Sequence, residues 1–529
     1  MPSPHASTVT AKPTLQQVME LAQNLRKQAR WQEAAALYER LTAALACSAD
    51  NTLRAAVHHN HAVCLFALRQ YPAAAAQAIT AYELNDSLWQ SGVIEINALK
   101  QQGLNELYVA RAVALYERHA LHAEVALAAA NATMNYLGDA AGARRMLAPF
   151  TQHPTQGREV RMLMLMSRLY DRDEGDTPQQ ITLDIFALAK ADLTLSQAEI
   201  DEASDIDMTQ FDLPQKAGRR VGVLCPMLSA SPVHAFCFET FRRLHQEGIE
   251  LVFIRRGKTD DWATEQFRSI ASAWVEAADM GPAALHVLLT RLELDELYEM
   301  GGWMDTAGLR AVSVKPCPRM VKWVGGQSCT TGLPGFDAFI SDPVQSPLET
   351  AHLYSEPLLL QPASYVSYQP PPYLAHLKGA ARKGTGRWGV ISNPLKLSRA
   401  FLAWLNTLGQ QADAQLQPHG KAQPAYVDQL VLADQRYANP LVRQRVESVL
   451  RPAWGERLQF EVPKGHVAFI ETLTSLDGLI DTFPYSCGLT MAEALYVGLD
   501  VYFPPVERTL FCERHGWAHV INHHAQAND

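Results

Sequence analysis

The chain has 529 residues, 48% of them hydrophobic and 19% charged, a globular composition with room for about two to four well-buried domains. A net charge of -9 argues against a protein that lives on nucleic acid, since phosphate binding requires clustered Lys and Arg. The first residues lack a charged segment followed by an apolar one, and no apolar run reaches the roughly 18 residues of a membrane span. The eight cysteines (Cys47, Cys64, Cys225, Cys237, Cys317, Cys329, Cys487 and Cys512) form no C-x-x-C pair. They read as reduced thiols, which favours a soluble, cytoplasmic protein.

From about Leu15 to Phe150 the chain is Ala-rich, with apolar positions at helical spacing. Segments beginning near Tyr71, Asn105 and Asp139 align at a period of 34, and an earlier copy starts at Trp31. A helix-turn-helix repeat of this length resembles the tetratricopeptide family, so residues 14–153 are expected to form helical repeats that offer a surface to a polypeptide. A plain helical bundle is the alternative. Residues 154–215 read as a mixed linker with an acidic stretch. Its Asp205-Ile-Asp207 pair has the D-x-D form of a metal site but no strand before it, so no metal is expected there.

After Arg219 strands and helices alternate. Strands are expected over 220–226, 249–255 and 336–342, with a helix over 232–245, and the domain is placed at 216–377. A second set follows over 386–529: strands at 389–393, 429–433 and 458–462, with helices at 398–409, 440–450 and 467–475. A Pro-rich stretch, 369–373, and a basic loop, 378–387, separate the two. The fold class is therefore α + α/β: helical repeats, then two Rossmann-like halves in the GT-B glycosyltransferase plan, with ligands at the carboxyl ends of strands.

Within the second set, residues 480–504 run from a strand ending at Asp481 through a small polar turn into a helix carrying Glu493, then into another strand. A helix that starts straight after such a turn aims free N–H groups and its positive dipole end at the turn, which suits a diphosphate. Taken alone the segment also fits an ordinary βαβ unit.

Taken in order, several pieces resemble one family. They are Val321-Lys-Trp-Val-Gly-Gly-x-x-x-Thr330-Thr331-Gly, Asp337-Ala-Phe-Ile-Ser-Asp, Ser346-Pro-x-Glu, Tyr354-Ser-Glu, Asn393-Pro-Leu-Lys396, Pro463-Lys464-Gly-His466 and Asp481-Thr through Glu493. Together they look like the O-GlcNAc transferase family and its bacterial adhesin N-glucosyltransferase relatives, which share the layout of repeats ahead of a GT-B pair. The resemblance implies an inverting, metal-independent transfer of a sugar from a UDP donor to a protein side chain, the UDP-sugar being a substrate and no cofactor being needed. Lys396 matches the lysine that holds the donor diphosphate. Asn393, Lys464, His466, Cys487, Gly488, Leu489, Thr490, Glu493, Thr330 and Thr331 carry over as donor-side residues, with Glu493 on the ribose. Gly488-Leu489 stands where relatives have a His and a Thr, so one imidazole and one hydroxyl are missing.

On the acceptor side the family places a histidine after the first catalytic strand. Here Ser231 holds that place and His234 lies three residues on, leaving His234 as the catalytic candidate and Ser231, Trp303 and Asp305 as cleft candidates. No general base is assigned with security. Relatives continue with helices that cross back to the first catalytic domain, whereas this chain stops at Asp529, and the His523-His524 pair reads as part of a loose tail.

The function expected is thus UDP-sugar:polypeptide glycosyltransferase, GlcNAc favoured over glucose and Ser/Thr over Asn, with the repeats docking the acceptor. Asn-linked glucosylation and a repeat scaffold of weak catalytic power are the alternatives. The family suggests a bacterial surface or flagellar protein as acceptor, and the repeats leave room for a homodimer.

Overall fold

In the computed structural model the described residues are 14–203, 205–411 and 413–528. The chain divides into two compact units: one runs to Leu137 and includes Gly142–Val160, and the other combines Gly138–Ala141 with Arg161 onward.

The first unit is helical from its start. Thr14 opens it with a capping box, its hydroxyl accepting from Gln17 N while Gln17 accepts from Thr14 N. Helices Leu15–Lys27, Trp31–Ala44, Asn51–Ala67, Tyr71–Leu84, Trp89–Gln101, Asn105–His119 and Ala123–Ala132 follow. The repeat read in the sequence has a backbone counterpart. Ala29 (φ 57°), Arg69 (φ 60°) and Gly103 (φ 70°) lie two residues before Trp31, Tyr71 and Asn105 respectively, so these three copies turn through a left-handed residue at the same place. Ala29 and Arg69 hold that shape at a cost of about 1–2 kcal/mol each. Fully buried Ala22, Ala34, Ala74, Ala78 and Ala81 let successive helices approach closely.

The second unit holds two parallel sheets. In the first lobe β1 (Arg220–Cys225), β2 (Glu250–Arg255), β3 (Ala273–Glu276), β4 (Glu296–Glu299), β5 (Met320–Lys322), β6 (Ala338–Ser341) and β7 (Leu358–Leu360) lie in the order β3-β2-β1-β4-β5-β6-β7. In the second lobe β8 (Arg387–Val390), β11 (Gln429–Ala433), β12 (Leu458–Glu461), β13 (Gly478–Ile480) and β14 (Asp500–Tyr502) lie in the order β12-β11-β8-β13-β14. A small hairpin, β9 (Gln415–Leu416) with β10 (Ala425–Tyr426), stands apart. The helical repeats and the two Rossmann-like lobes are as the sequence predicts.

Several strands went unread because they are short and carry charge. Glu299 ends β4 and Lys322 ends β5, yet both are buried and pair at 3.1 Å. Lys322 Nζ also donates to the carbonyls of Glu299 and Gly325, so the buried charge is neutralised within the fold.

Within the segment read as a linker, residues 165–193 form a packed layer. Leu165, Leu169, Ile181, Ile185, Leu188 and Leu193 enter the same core as Leu224, Val252 and Leu297 of the first sheet. Periodicity within the segment shows its helices, but burial depends on a sheet that comes later in the chain. Asp207 does no more than cap the short turn Met208–Gln210, accepting from Thr209. Among the described residues no group of three or more His, Cys, Asp or Glu is placed to hold a metal.

The tail also departs from expectation. Residues His515–Asn528 form a helix that packs back on the first lobe: Asn522 Nδ2 donates to Asp342 Oδ2 at 3.0 Å and His519 stacks on Phe236. The cysteines among the described residues are free thiols, and only Cys47 is exposed. No helix among the described residues is long and apolar enough to cross a membrane.

Candidate functional site

Strand order decides where the site lies. In the second lobe β8 pairs with β11 on one side and β13 on the other, so the direction of winding reverses between β8 and β13. Loops leaving neighbouring strands at such a point diverge and open a crevice. Close packing holds the two strands together: a Cβ at Gly478 of β13 would lie 2.4 Å from the Trp388 indole of β8. The turn after β8 carries Lys396, and the loop after β13 carries residues 481–489.

Lys396 Nζ donates to the Ser486 carbonyl at 2.8 Å and sits 4.6 Å from the centre of the Tyr485 ring. Tyr485 stacks on Tyr170 with centroids 4.5 Å apart and planes 8° from parallel, and its hydroxyl lies 2.7 Å from Ser328 Oγ of the first lobe. The loop is gathered by Asp481, which is fully buried and accepts from Ser486 Oγ and Cys487 N, each at 2.8 Å. Burial pushes the Asp481 carboxyl above its ordinary range against those hydrogen bonds.

The helix Leu489–Val497 starts behind this loop with no side chain capping it. Its first N–H groups are open, and a Cβ at Gly488 would meet nothing within 4 Å. One turn in, Glu493 is buried and its Oε1 accepts from His466 Nε2 at 2.7 Å. The other ring nitrogen of His466 lies 2.8 Å from the Tyr373 hydroxyl. Burial raises the Glu493 carboxyl and the His466 bond partly reverses that.

Of the donor-side residues named from sequence, Lys396 meets the loop after β13 through the Ser486 carbonyl, and His466 meets Glu493 on the helix that also carries Leu489 and Thr490. Lys464 is exposed beside them. Asn393 caps the turn that presents Lys396, accepting from Leu395 N at 3.0 Å, and Cys487 is buried, reaching Asp481 only through its backbone.

The first-lobe candidates are differently employed. His234 is buried, its Nε2 2.7 Å from Gln266 Oε1, boxed by the rings of Phe238, Trp262 and Phe267. Trp303 donates to the Thr330 carbonyl at 2.9 Å within the core. Thr330 and Thr331 are both buried and both donate to Glu356. Asp305 caps the helix Thr306–Val312 and pairs with Arg256 at 2.8 Å. Ser231 returns its hydroxyl to the Met227 carbonyl at 2.9 Å. His234, Thr330, Thr331 and Asp305 each meet a partner at least 25 residues away in the chain, Gln266, Glu356 and Arg256 among them, which no local pattern announces, whereas Ser231 is taken by Met227 four residues back. His523 and His524 are exposed on the last helix, their rings 6.1 Å apart.

Fold and site together define a class: helical repeats in one unit, and in the other a GT-B pair with a lysine, a helix start and an acidic residue converging at a switch point. No protein-family model matches the chain. Sequence comparison shows 27% identity over 213 residues with the probable UDP-N-acetylglucosamine–peptide N-acetylglucosaminyltransferase SPINDLY of Oryza sativa subsp. japonica, covering 39% of this chain and 21% of that protein. The corresponding protein SEC of Arabidopsis thaliana is 24% identical over 148 residues, covering 28% of this chain and 15% of its own length. The chain therefore matches about a fifth or less of the length of these relatives. Among solved structures, an O-GlcNAc transferase mutant from Thermobaculum terrenum superposes with a TM-score of 0.62 at 17% identity, covering 97% of this chain and 86% of that one. The fold is accordingly O-GlcNAc transferase-like, and the sequence matches lie among proteins named for the same chemistry.

Proposed function

We propose that the chain is a UDP-sugar-dependent protein glycosyltransferase, inverting and independent of metal, with GlcNAc favoured as the sugar and Ser/Thr as the acceptor. The observation that carries this reading is the position of Lys396. Its ammonium lies on the loop that precedes an uncapped helix start, one turn from a buried carboxylate. A diphosphate seated there would replace the Ser486 carbonyl as partner of Lys396 and take the free N–H groups of Leu489 and Thr490. Ribose hydroxyls would bond to Glu493 in place of His466, whose ring is then free to pack on the base. Lys396 and the helix dipole stabilise the charge that builds on UDP as the sugar leaves, the work that a metal ion performs in other designs. The repeats would dock the polypeptide acceptor, as stacked helical repeats commonly do.

The test is UDP release from UDP-GlcNAc and from UDP-glucose, with and without EDTA, comparing wild type with Lys396→Ala. Release that survives EDTA and falls at least 100-fold in the variant supports the reading. Loss of release on chelation sinks the metal-independent mechanism, and no release from either donor sinks the enzyme.

A further inference from the structure

The helix His515–Asn528 brings a histidine to the donor loop. The segment leading into it is held from both lobes: Cys512 N donates to the Ser328 carbonyl at 3.0 Å and Gln345 Nε2 to the Phe511 carbonyl at 2.7 Å. From the second lobe, Ser486 N donates to the Cys512 carbonyl at 2.9 Å, and Gly516 N donates to Ser486 Oγ at 2.8 Å. Ser486 is the residue whose carbonyl holds Lys396. The backbone that carries His515 is therefore held by short hydrogen bonds on both sides of its position.

The ring lies 5.1 Å from that of Phe511 and 5.9 Å from that of Tyr485, on which Lys396 Nζ also rests. His515 is only 9% exposed, yet among the described residues neither of its ring nitrogens makes a hydrogen bond, and neither is a sealed polar atom. That contrasts with His234, which is tied to Gln266 inside an aromatic box. A buried imidazole with two uncommitted nitrogens, next to the same Tyr485 ring that carries Lys396, is chemically unspent. It is also neutral at physiological pH: burial holds its pKa well below the ordinary imidazole range, helped by Lys396 and by His519 one turn on. The titratable groups that act on it are Lys396 from the turn after β8, Tyr485 from the loop after β13 and His519 from its own helix.

We infer that His515 is the general base of the transfer, receiving the proton of the attacking acceptor hydroxyl. This rests on the UDP-sugar chemistry proposed above. The acceptor oxygen bonds to sugar C1 while the bond from C1 to the diphosphate oxygen breaks; the electron pair departs with UDP and the acceptor proton passes to a ring nitrogen of His515. The negative diphosphate on Lys396 offsets the repulsion of that ammonium and raises the proton affinity of the imidazole only once the donor is bound.

The experiment uses the full chain with UDP-GlcNAc and UDP-glucose, water serving as acceptor, in wild type, His515→Asn, His515→Gln and Lys396→Ala. UDP binding is followed by calorimetry and turnover by UDP release. The inference expects the His515 variants to bind UDP within about twofold of wild type, to lose about 100-fold or more in kcat, and to lose the acid limb of the pH–rate profile. It is overturned if either folded variant keeps kcat and the acid limb, or if UDP binding is lost in step with turnover. In wild type labelled at histidine Cε1, the His515 resonance should titrate at higher pH with UDP bound than without, and an unchanged titration also overturns it. If wild type releases no UDP from either donor, the glycosyltransferase reading fails first, which Lys396→Ala reports independently of His515.

Discussion

Nε2 of His466 and Oε1 of Glu493 lie 2.7 Å apart, and the far side of the same ring meets the Tyr373 hydroxyl. The relay fixes the tautomer: Nε2 carries the proton toward the carboxylate, and Nδ1 accepts from Tyr373. A buried carboxylate is thereby kept satisfied until a better partner arrives. Glu493→Gln should weaken UDP binding about tenfold, and Glu493→Ala by more, through loss of a charge-assisted hydrogen bond of about 1.5–3 kcal/mol. Calorimetric titration with UDP checks this, and equal affinity in all three proteins would remove Glu493 from the donor site.

Tyr485 ties together three segments: Tyr170 under its ring, Lys396 over it and Ser328 at its hydroxyl. Tyr485→Phe should cost about 1 kcal/mol in urea denaturation, the net worth of one hydrogen bond, with UDP affinity nearly unchanged. Tyr485→Leu should cost about 2–4 kcal/mol and weaken UDP binding as well, because the stacked ring and the face beneath Lys396 are both lost.

Stability should fall with acid through His519. Burial depresses its pKa to about 4, whereas an unfolded histidine titrates near 6.5. The folded pKa is the lower one, so this contribution is complete above about pH 6.5 and is lost as pH falls toward 4. Between pH 7 and pH 5 the loss is on the order of 2 kcal/mol. Replacing the ring by His519→Phe, which keeps the stack on Phe236, should flatten that part of the curve in denaturation measured at several pH values.

The turns after β4 and β5 interlock. Gly326 has φ 55°, and a Cβ there would lie 1.8 Å from the Gly301 carbonyl oxygen. Gly326→Ala should therefore abolish folding of the first lobe, a cost of several kcal/mol. Gly420→Ala shares the positive φ, at 71°, but meets nothing within 4 Å, so it should cost only about 1–2 kcal/mol. Circular dichroism and yield of soluble protein separate the two.

Much of this molecule is written locally. The helical repeats follow from small residues at fixed spacing, and the 481–493 segment reads as a phosphate turn because strand end, turn and helix start are contiguous. Lys396 is named through the family resemblance of the contiguous motif Asn393-Pro-Leu-Lys396. The amino-acid sequence by itself thus determined the fold class, and it supplied the candidates, Lys396 and Glu493, on which the proposed donor site rests.

What only the tertiary structure decided is which polar groups are already spent. Thr330 and Thr331 look like donor ligands until Glu356 takes both hydroxyls, and Trp303 and Asp305 like cleft residues until Thr330 and Arg256 engage them. The converse holds for His515, unremarkable in a tail segment, whose surroundings are assembled from Lys396, Tyr485 and Phe511. The physical reason is the same in both directions. Hydrogen-bond satisfaction and burial are properties of contacts between segments far apart in the chain, and the order of strands in a sheet, which no local pattern encodes, sets those contacts.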